Sequence, residues 1–236
     1  MNLPRIDSPV MTMTIPSTGL KVKYTNFTVK EQKAILLAAE SEDQDIIVET
    51  ITRLLNHCVE GHDFEHAPLY DLEYAFAKLR TSSVGGIVQM KHTCDHEIDG
   101  TACGTSNDVT INIEDMKLRK ITKEESLIKI SDKQYIELKH LGAHDALSLV
   151  NKKLKTEQLY DVIAKSIKLI IDDDNVIEVT YGEELIKWCD DLPDTTVGKV
   201  LEFVKNTPRT EMQLKYVCSE CEHEHDVNIV GLESFL

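Results

Sequence analysis

Four of the six cysteines stand in two segments of the chain that repeat one pattern. Eight residues separate Cys94 from Cys103, and two residues separate Cys218 from Cys221. Each segment reads K-x-x-C, then a turn, then C-x4-D-V-x-I, in which apolar residues alternate as they do in half-buried strands. The repeat therefore predicts two β-hairpins, each carrying two thiols at its turn.

Two cysteine-bearing turns are the ligand set of a zinc ribbon, because tetrahedral Zn²⁺ takes four thiolates and each turn supplies two. The C-x2-C spacing is standard for such a site, whereas the C-x8-C turn is enlarged by an inserted loop. We predict one Zn²⁺ bound by Cys94, Cys103, Cys218 and Cys221. With four protein ligands no position stays open for water, so the predicted site is structural and not catalytic.

The sequence leaves two alternatives to this four-cysteine site open. One is four free cysteines at hairpin turns, or a metal site that this sequence has lost. The other is a Cys3His site in which a histidine replaces one thiol. The histidines that stand near the cysteines along the chain are His92, His96, His223 and His225.

The elements that would position these cysteines begin with helices. A hairpin is predicted over Thr12 to Tyr24, and a capping box of Thr28 and Glu31 then opens a helix. Apolar residues at helical spacing predict a second helix over about Asp45 to Val59 and a third over about Leu69 to Leu79. The first third of the chain is therefore expected to be largely helical.

The middle of the chain changes to strand-like sequence after Gly85-Gly86, and helical patterns return later. Strands are predicted over Ile87 to Met90, Val109 to Ile113, Leu127 to Ile130 and Tyr135 to Leu138. Later helices are predicted over Thr156 to Ile171, Glu183 to Cys189 and Thr195 to Lys205, followed by a final strand pair. The predicted fold class is α+β, with helical N-terminal and C-terminal segments around β-hairpins.

A shared metal ion also predicts the domain organisation. Cys94 and Cys218 would bind the same ion, so the chain between them must leave the metal site and return to it as a closed loop. We therefore expect a single α+β body over residues 1–236. Within it, residues 87–113 and 212–230 are expected to form the paired cysteine hairpins of a split zinc-ribbon-like subregion.

Composition excludes several function classes. The chain has 236 residues, a formal net charge of −15 and a pI near 5.0, so it lacks the basic face that nucleic acid or an anionic membrane surface attracts. It shows no apolar run of about 20 residues and no secretory signal in Met1 to Val10, which predicts a soluble, intracellular protein. No G-x-S-x-G, Walker, dinucleotide or H-E-x-x-H motif occurs, so no enzyme activity is expected.

Several strings resemble the T4-type phage baseplate hub and hub-assembly proteins. The resemblance begins in residues 13–22 (MTIPSTGLKV), continues in residues 27–41 (FTVKEQKAILLAAES) and includes residues 70–80 (YDLEYAFAKLR). It also covers Ser83-Val84-Gly85, the C-x2-C turn and the closing residues 231–236 (GLESFL). This sequence departs from the family in its enlarged first cysteine turn and in its final Leu236, where an aromatic residue is usual.

The resemblance implies a non-enzymatic protein of a contractile-tailed phage, made in the host bacterial cytoplasm and used to build the central hub of the tail baseplate. Its partners would be other hub proteins, and it would act as a retained virion component or as a transient assembly chaperone. The apolar residues near the chain ends that could contact a partner, or could instead complete the core, are Ile15, Val22, Leu232, Phe235 and Leu236. A zinc-ribbon adaptor in phage transcription and an unrecognised enzyme are the alternatives.

Overall fold

The computed structural model describes residues 7–119, 123–146 and 156–231. Its secondary structure is mixed α and β, and the named strand pairs are all antiparallel. The first elements in chain order are β1 (Val10–Thr14), β2 (Lys21–Thr25), α1 (Val29–Glu40), α2 (Gln44–Cys58), β3 (Val59–Glu60), α3 (Leu69–Val84), β4 (Ile87–Thr93), β5 (Glu97–Ile98), β6 (Thr101–Ala102), β7 (Ser106–Asn112) and β8 (Lys117–Leu118). The following elements are α4 (Lys123–Ser126), β9 (Leu127–Lys129), β10 (Gln134–Leu138), α5 (Thr156–Ser166), β11 (Ile167–Asp172), β12 (Asn175–Glu178), α6 (Glu183–Cys189), α7 (Asp194–Lys205), β13 (Thr210–Val217) and β14 (Glu224–Val230).

The chain divides into two compact units that are interleaved in sequence. Unit 1 comprises Met1–Phe64, Tyr70–Leu118 and Arg209–Leu236, and unit 2 comprises Glu65–Leu69 and Arg119–Pro208. Both cysteine segments fall in unit 1. That the whole chain behaves as one body stays a prediction.

Unit 1 begins with the predicted hairpin and helices. The sheet β1-β2-β3 buries one face, on which Met13 pairs with Val22. The capping box is confirmed, because the Thr28 backbone N–H donates to Glu31 Oε2 at 2.7 Å. The predicted second and third helices are present as α2 and α3, and α3 extends five residues beyond the predicted end, to Val84.

The core of unit 1 comes from the helical stripes that the sequence predicts. Helix α2 buries one apolar face, and α3 is buried on several sides, with Leu55 and Leu72 both fully shielded from solvent. Each such leucine contributes about 1.5–3 kcal/mol of hydrophobic stabilisation. The strands that flank the cysteines also belong to unit 1, where they form the sheets β4-β7 and β14-β13-β8.

Unit 2 contains a four-stranded sheet in the order β12-β11-β10-β9. Ile136 of β10 and Ile163 of α5 are fully buried at the centre of its core. Helices α6 and α7 contribute Leu185, Cys189 and Val200 to the same core.

The prediction of one helix over Thr156–Ile171 is wrong, because α5 ends at Ser166 and strand β11 follows at once. The Ser166 hydroxyl donates back to the Val162 carbonyl at 2.8 Å, a bond that competes with continuation of the helix. The next residues are rich in isoleucine, which suits a pleated strand, and Ile170 pairs with Ile136 of β10. Pairing with a distant strand therefore overrides the local helical pattern.

In the described part of the chain, none of the helices combines the length and the apolar character that crossing a membrane requires.

Candidate metal centre

The two cysteine hairpins are present and share one register. Strand β4 pairs with β7 so that Lys91 lies opposite Asp108, and β13 pairs with β14 so that Lys215 lies opposite Asp226. The repeated lysine and aspartate thus occupy the same place in both ladders. The repeat in the sequence is a repeat in three dimensions.

The enlarged first turn is a cysteine turn with a small hairpin inserted into it. Strands β5 and β6 form that hairpin, and its two central residues, Asp99 and Gly100, have φ values of 51° and 78°. Positive φ at both positions, with the sequence Asp-Gly, is typical of a tight two-residue hairpin turn. At its base the Cys103 N–H donates to the His96 carbonyl at 2.8 Å, which holds the two ends of the insertion together.

The backbone hydrogen bonds around the two turns are the same. The N–H of the first cysteine bonds to the carbonyl two residues after the second cysteine: Cys94 to Thr105 and Cys218 to His223, both at 2.9 Å. The N–H that follows the second cysteine returns to the carbonyl of the first, at 3.0 Å for Gly104 and 3.1 Å for Glu222. Both of these residues have a positive φ, 68° and 57°, which a glycine adopts without strain.

The four thiols converge. Their sulfur atoms all lie within 4.8 Å of one another, with 3.6 Å between Cys94 and Cys221 and 3.9 Å between Cys103 and Cys218. A metal with tetrahedral S–metal bonds of about 2.3 Å sets its sulfurs about 3.8 Å apart. A disulfide would need about 2.05 Å, so the spacing fits four ligands of a single ion and not S–S bonds. The residues present therefore fit a four-thiolate metal ion.

The protein around the sulfurs favours thiolates unevenly. Backbone N–H groups of Cys221 and Glu220 lower the pKa of Cys218 to about 6, and hydrogen bonds from Thr105 lower the pKa of Cys103. Burial instead raises the pKa of Cys94 to about 12. A divalent cation favours deprotonation of every thiol it binds, so it would complete the set of charges that the protein alone establishes only in part.

The four predicted histidines surround the thiols without joining the converging set. His225 Nε2 lies 3.1 Å from Cys94 Sγ, and His92 Nδ1 lies 2.8 Å from the Tyr216 hydroxyl. His96 and His223 stack, with ring centroids 4.0 Å apart. Among the described residues, the metal-ligating atoms that converge belong to the four cysteines.

Sequence reasoning missed Asn107, whose side chain amide contacts Cys218 Sγ at 3.6 Å and is buried. The signal was available, because Asn107 and His225 each directly precede the aspartate of the repeated C-x4-D-V-x-I string. Cys58 and Cys189 are buried and do not belong to the converging set, and burial raises the pKa of each thiol to about 11.

The residues predicted to contact a partner divide into two sets. Ile15 and Val22 are 0% and 3% exposed, so in this structure both complete the core of unit 1. Leu232, Phe235 and Leu236 lie outside the described residues. Their contact with a partner stays a prediction.

A family model described as T4 bacteriophage base plate protein matches residues 8–236, which is nearly the whole chain. The chain belongs to this family. As a T4-type baseplate protein it has a structural role in the phage tail and interacts with other baseplate proteins. A search of the curated proteins and a search of the solved structures both return no match to this chain.

Proposed function

We propose that this baseplate protein binds other hub proteins and builds the central hub of a contractile-tail baseplate, without turning over a small molecule. The observation that carries the proposal is the family match over residues 8–236. The ordered resemblance of the strings in residues 13–22, 27–41 and 70–80 to hub and hub-assembly proteins supports the choice of the hub within the baseplate.

Mass spectrometry of purified virions is the test that separates the two forms of this proposal. A retained hub component appears in mature particles, at a copy number that matches the symmetry of the hub. A transient assembly chaperone is found in infected host cytoplasm, bound to hub proteins, and is missing from particles. Copurification with host RNA polymerase and not with baseplate proteins would instead support the transcription adaptor, which the net charge of −15 disfavours.

The closing residues are the part of the chain that we assign to partner binding. The test is a phage that carries Phe235→Asp and Leu236→Asp, with the level of soluble protein checked. Soluble variant protein with stalled baseplates would support a terminal contact, because a charge inserted into an apolar interface opposes association. Normal hub assembly and full infectivity would contradict it.

The cysteine cluster is proposed to hold one structural Zn²⁺, with Cys94, Cys103, Cys218 and Cys221 as ligands. The sulfur spacing of 3.6 and 3.9 Å supports a single ion, and the chemistry of four thiolates selects zinc or iron. When bound, the ion neutralises part of the thiolate charge and joins the two hairpins. No ligand position is left for water or substrate, so the site has no catalytic role.

Elemental analysis of protein purified without chelator tests this proposal. We expect about one equivalent of zinc per chain, and Cys218→Ser should lose metal and stability together because a structural zinc site contributes directly to folding. Cys58→Ser is the matched control, since Cys58 is buried in α2 outside the cluster. A folded wild-type protein without metal would contradict the proposal, and a coloured protein with one iron would correct the identity of the ion.

A further inference from the structure

Asn107 and His225 occupy the same position in the two cysteine hairpins. Asn107 lies on β7 opposite His92, and His225 lies on β14 opposite Tyr216. Asn107 and His225 are 6% and 8% exposed, and they are two of the few polar residues that are buried. Buried polar groups require hydrogen-bond partners, so the partners of these two side chains indicate why they are there.

Each of the two side chains reaches across to the opposite hairpin. Asn107 Nδ2 donates to Cys218 Sγ at 3.6 Å, and His225 Nε2 lies 3.1 Å from Cys94 Sγ. The sulfur atom in both contacts belongs to the first cysteine of the other turn. Each hairpin therefore places one side-chain nitrogen next to the first cysteine sulfur of the other hairpin.

Neighbouring groups fix the orientation of both donors. Asn107 Oδ1 accepts from the Ser219 backbone N–H at 2.8 Å and from its hydroxyl at 3.0 Å, so the amide nitrogen must face the sulfur. The His225 ring stacks on Tyr216 with centroids 4.6 Å apart, and its Nδ1 lies 3.7 Å from Asp95 Oδ1. In the tautomer that carries hydrogen on Nε2, His225 donates to the Cys94 thiolate.

We infer that Asn107 and His225 are a matched pair of outer-sphere N–H···S donors to a four-thiolate metal ion, an inference that rests on the proposed metal site. Four thiolates and one divalent cation carry a net charge of −2, and Cys94 and Cys218 are each only 1% exposed. N–H groups directed at the sulfurs of these two buried ligands stabilise that charge where water does not reach. They also position each sulfur for the ion, because each donor belongs to the opposite hairpin.

Removal of one donor is expected to weaken metal binding by about 10- to 100-fold, the usual effect of losing an outer-sphere partner. Asn107→Asp keeps the size of the side chain and the acceptor for Ser219 but removes the N–H groups that face Cys218 Sγ and the Thr105 carbonyl. It also adds a negative charge, so the uncharged Asn107→Leu is measured beside it. His225→Phe keeps a ring that can stack on Tyr216 and removes both nitrogens. His225→Gln restores an N–H donor and should recover part of the affinity.

Matched controls change the same residue types away from sulfur. Asn112 lies on the same strand as Asn107, and its side chain accepts from the Glu114 N–H. Asn112→Asp keeps that acceptor and adds the same charge as Asn107→Asp. His57→Phe changes a histidine of α2 whose side chain is 74% exposed. Both controls should bind metal within about twofold of the wild type, because neither removes an outer-sphere partner of a metal ligand.

The experiment is competition of the full-length protein with a chromophoric chelator for Zn²⁺, together with Co²⁺ absorption spectra of each variant. Weaker binding in the donor variants, a shifted thiolate-to-cobalt band and unchanged controls would support the inference. The cobalt band reports the electron density on sulfur, which a purely structural role would leave unchanged. Donor variants that match the wild type in affinity and spectrum would overturn it while leaving the metal site intact. A wild-type protein that binds neither ion would overturn the metal site and the inference together.

Discussion

Single buried carboxylates on α3 hold distant parts of unit 1 in place. Asp71 and Glu73 are both 0% exposed, although acidic residues are almost never fully buried unless they are paired. Asp71 accepts hydrogen bonds from the backbone N–H of Ser17, at 3.0 Å, and from the Ser17 hydroxyl. It therefore fixes the turn between β1 and β2 from a position that is far away in sequence.

The replacement Asp71→Asn should change how stability depends on pH. Burial raises the pKa of the Asp71 carboxyl above its ordinary value of about 3.9, and the Ser17 hydrogen bonds and nearby His62 offset this only in part. The folded state then binds the proton more tightly than the unfolded state, so the contribution of Asp71 to stability falls as pH rises from about 4 through the raised folded pKa.

The measurement is urea unfolding of the wild type and of Asp71→Asn over that pH range. The free energy of unfolding of the wild type, relative to the variant, should decrease as pH rises and then become level. A difference that increases with pH would show that the folded pKa is lowered and that the hydrogen bonds from Ser17 outweigh burial.

At the scale of elements, helix α3 positions the strand that leads to Cys218. Helix α3 reaches the start of β13 through Glu73, which pairs with Arg209 at 2.6 Å and accepts from the N–H and hydroxyl of Thr210 at 2.8 and 2.9 Å. Strand β13 ends directly before Cys218, and its first residue is therefore positioned by a side chain of α3.

Glu73→Ala should destabilise the folded protein by about 3–5 kcal/mol, because it leaves the Arg209 charge and the Thr210 donors without their buried partner. Urea unfolding measures this loss. Glu49→Ala is the matched control: the Glu49–Arg53 ion pair is exposed, and its loss should change the free energy of unfolding by less than about 1 kcal/mol. Equal effects of the two variants would show that the buried ion pair does not fix the start of β13.

Deletion of residues 97–102 should leave metal binding intact. The deletion removes β5 and β6, whose residues are all exposed, and joins His96 to Cys103. The first turn then becomes C-x2-C, like the second, and the hydrogen bonds from Cys94 to Thr105 and from Gly104 to Cys94 lie outside the deleted segment. Elemental analysis should still find about one metal ion per chain. Loss of metal in a folded deletion variant would show that the inserted hairpin is needed for the site.

At the scale of the whole molecule, both compact units depend on segments that are far apart in sequence. Unit 1 takes its cysteine pairs from residues before and after the sequence of unit 2. Within unit 2, β11 pairs with β10, so the strands on either side of residue 150 belong to one sheet. Neither unit corresponds to one continuous half of the chain.

Limited proteolysis should therefore not release a stable C-terminal domain that begins near residue 150. Such a fragment would leave behind Cys94 and Cys103 from the cysteine cluster and β9 and β10 from the sheet of unit 2. The two pieces of a chain cut at this place should stay together on gel filtration, and a chelator should weaken their association. Release of a folded, metal-loaded fragment that begins near residue 150 would contradict this expectation.

Some of these features depend only on local signals and could be predicted from the sequence. The capping box of Thr28 and Glu31 joins residues three apart, and the stripe of α2 repeats within successive turns. The matched strings around the cysteines likewise predict strand, turn and strand in each hairpin. The structure contains these features as predicted because the groups that form them are neighbours along the chain.

The tertiary structure alone decided the features that depend on distant partners. Strand β11 replaces the end of the predicted helix because Ile167–Asp172 can pair with β10 and reach the unit 2 core, which no local pattern shows. Ile15 and Val22 are buried in the folded chain, which their position near one end of the sequence does not show. The contacts of Asn107 and His225 exist only once two hairpins meet, because each donor finds its sulfur on the opposite hairpin.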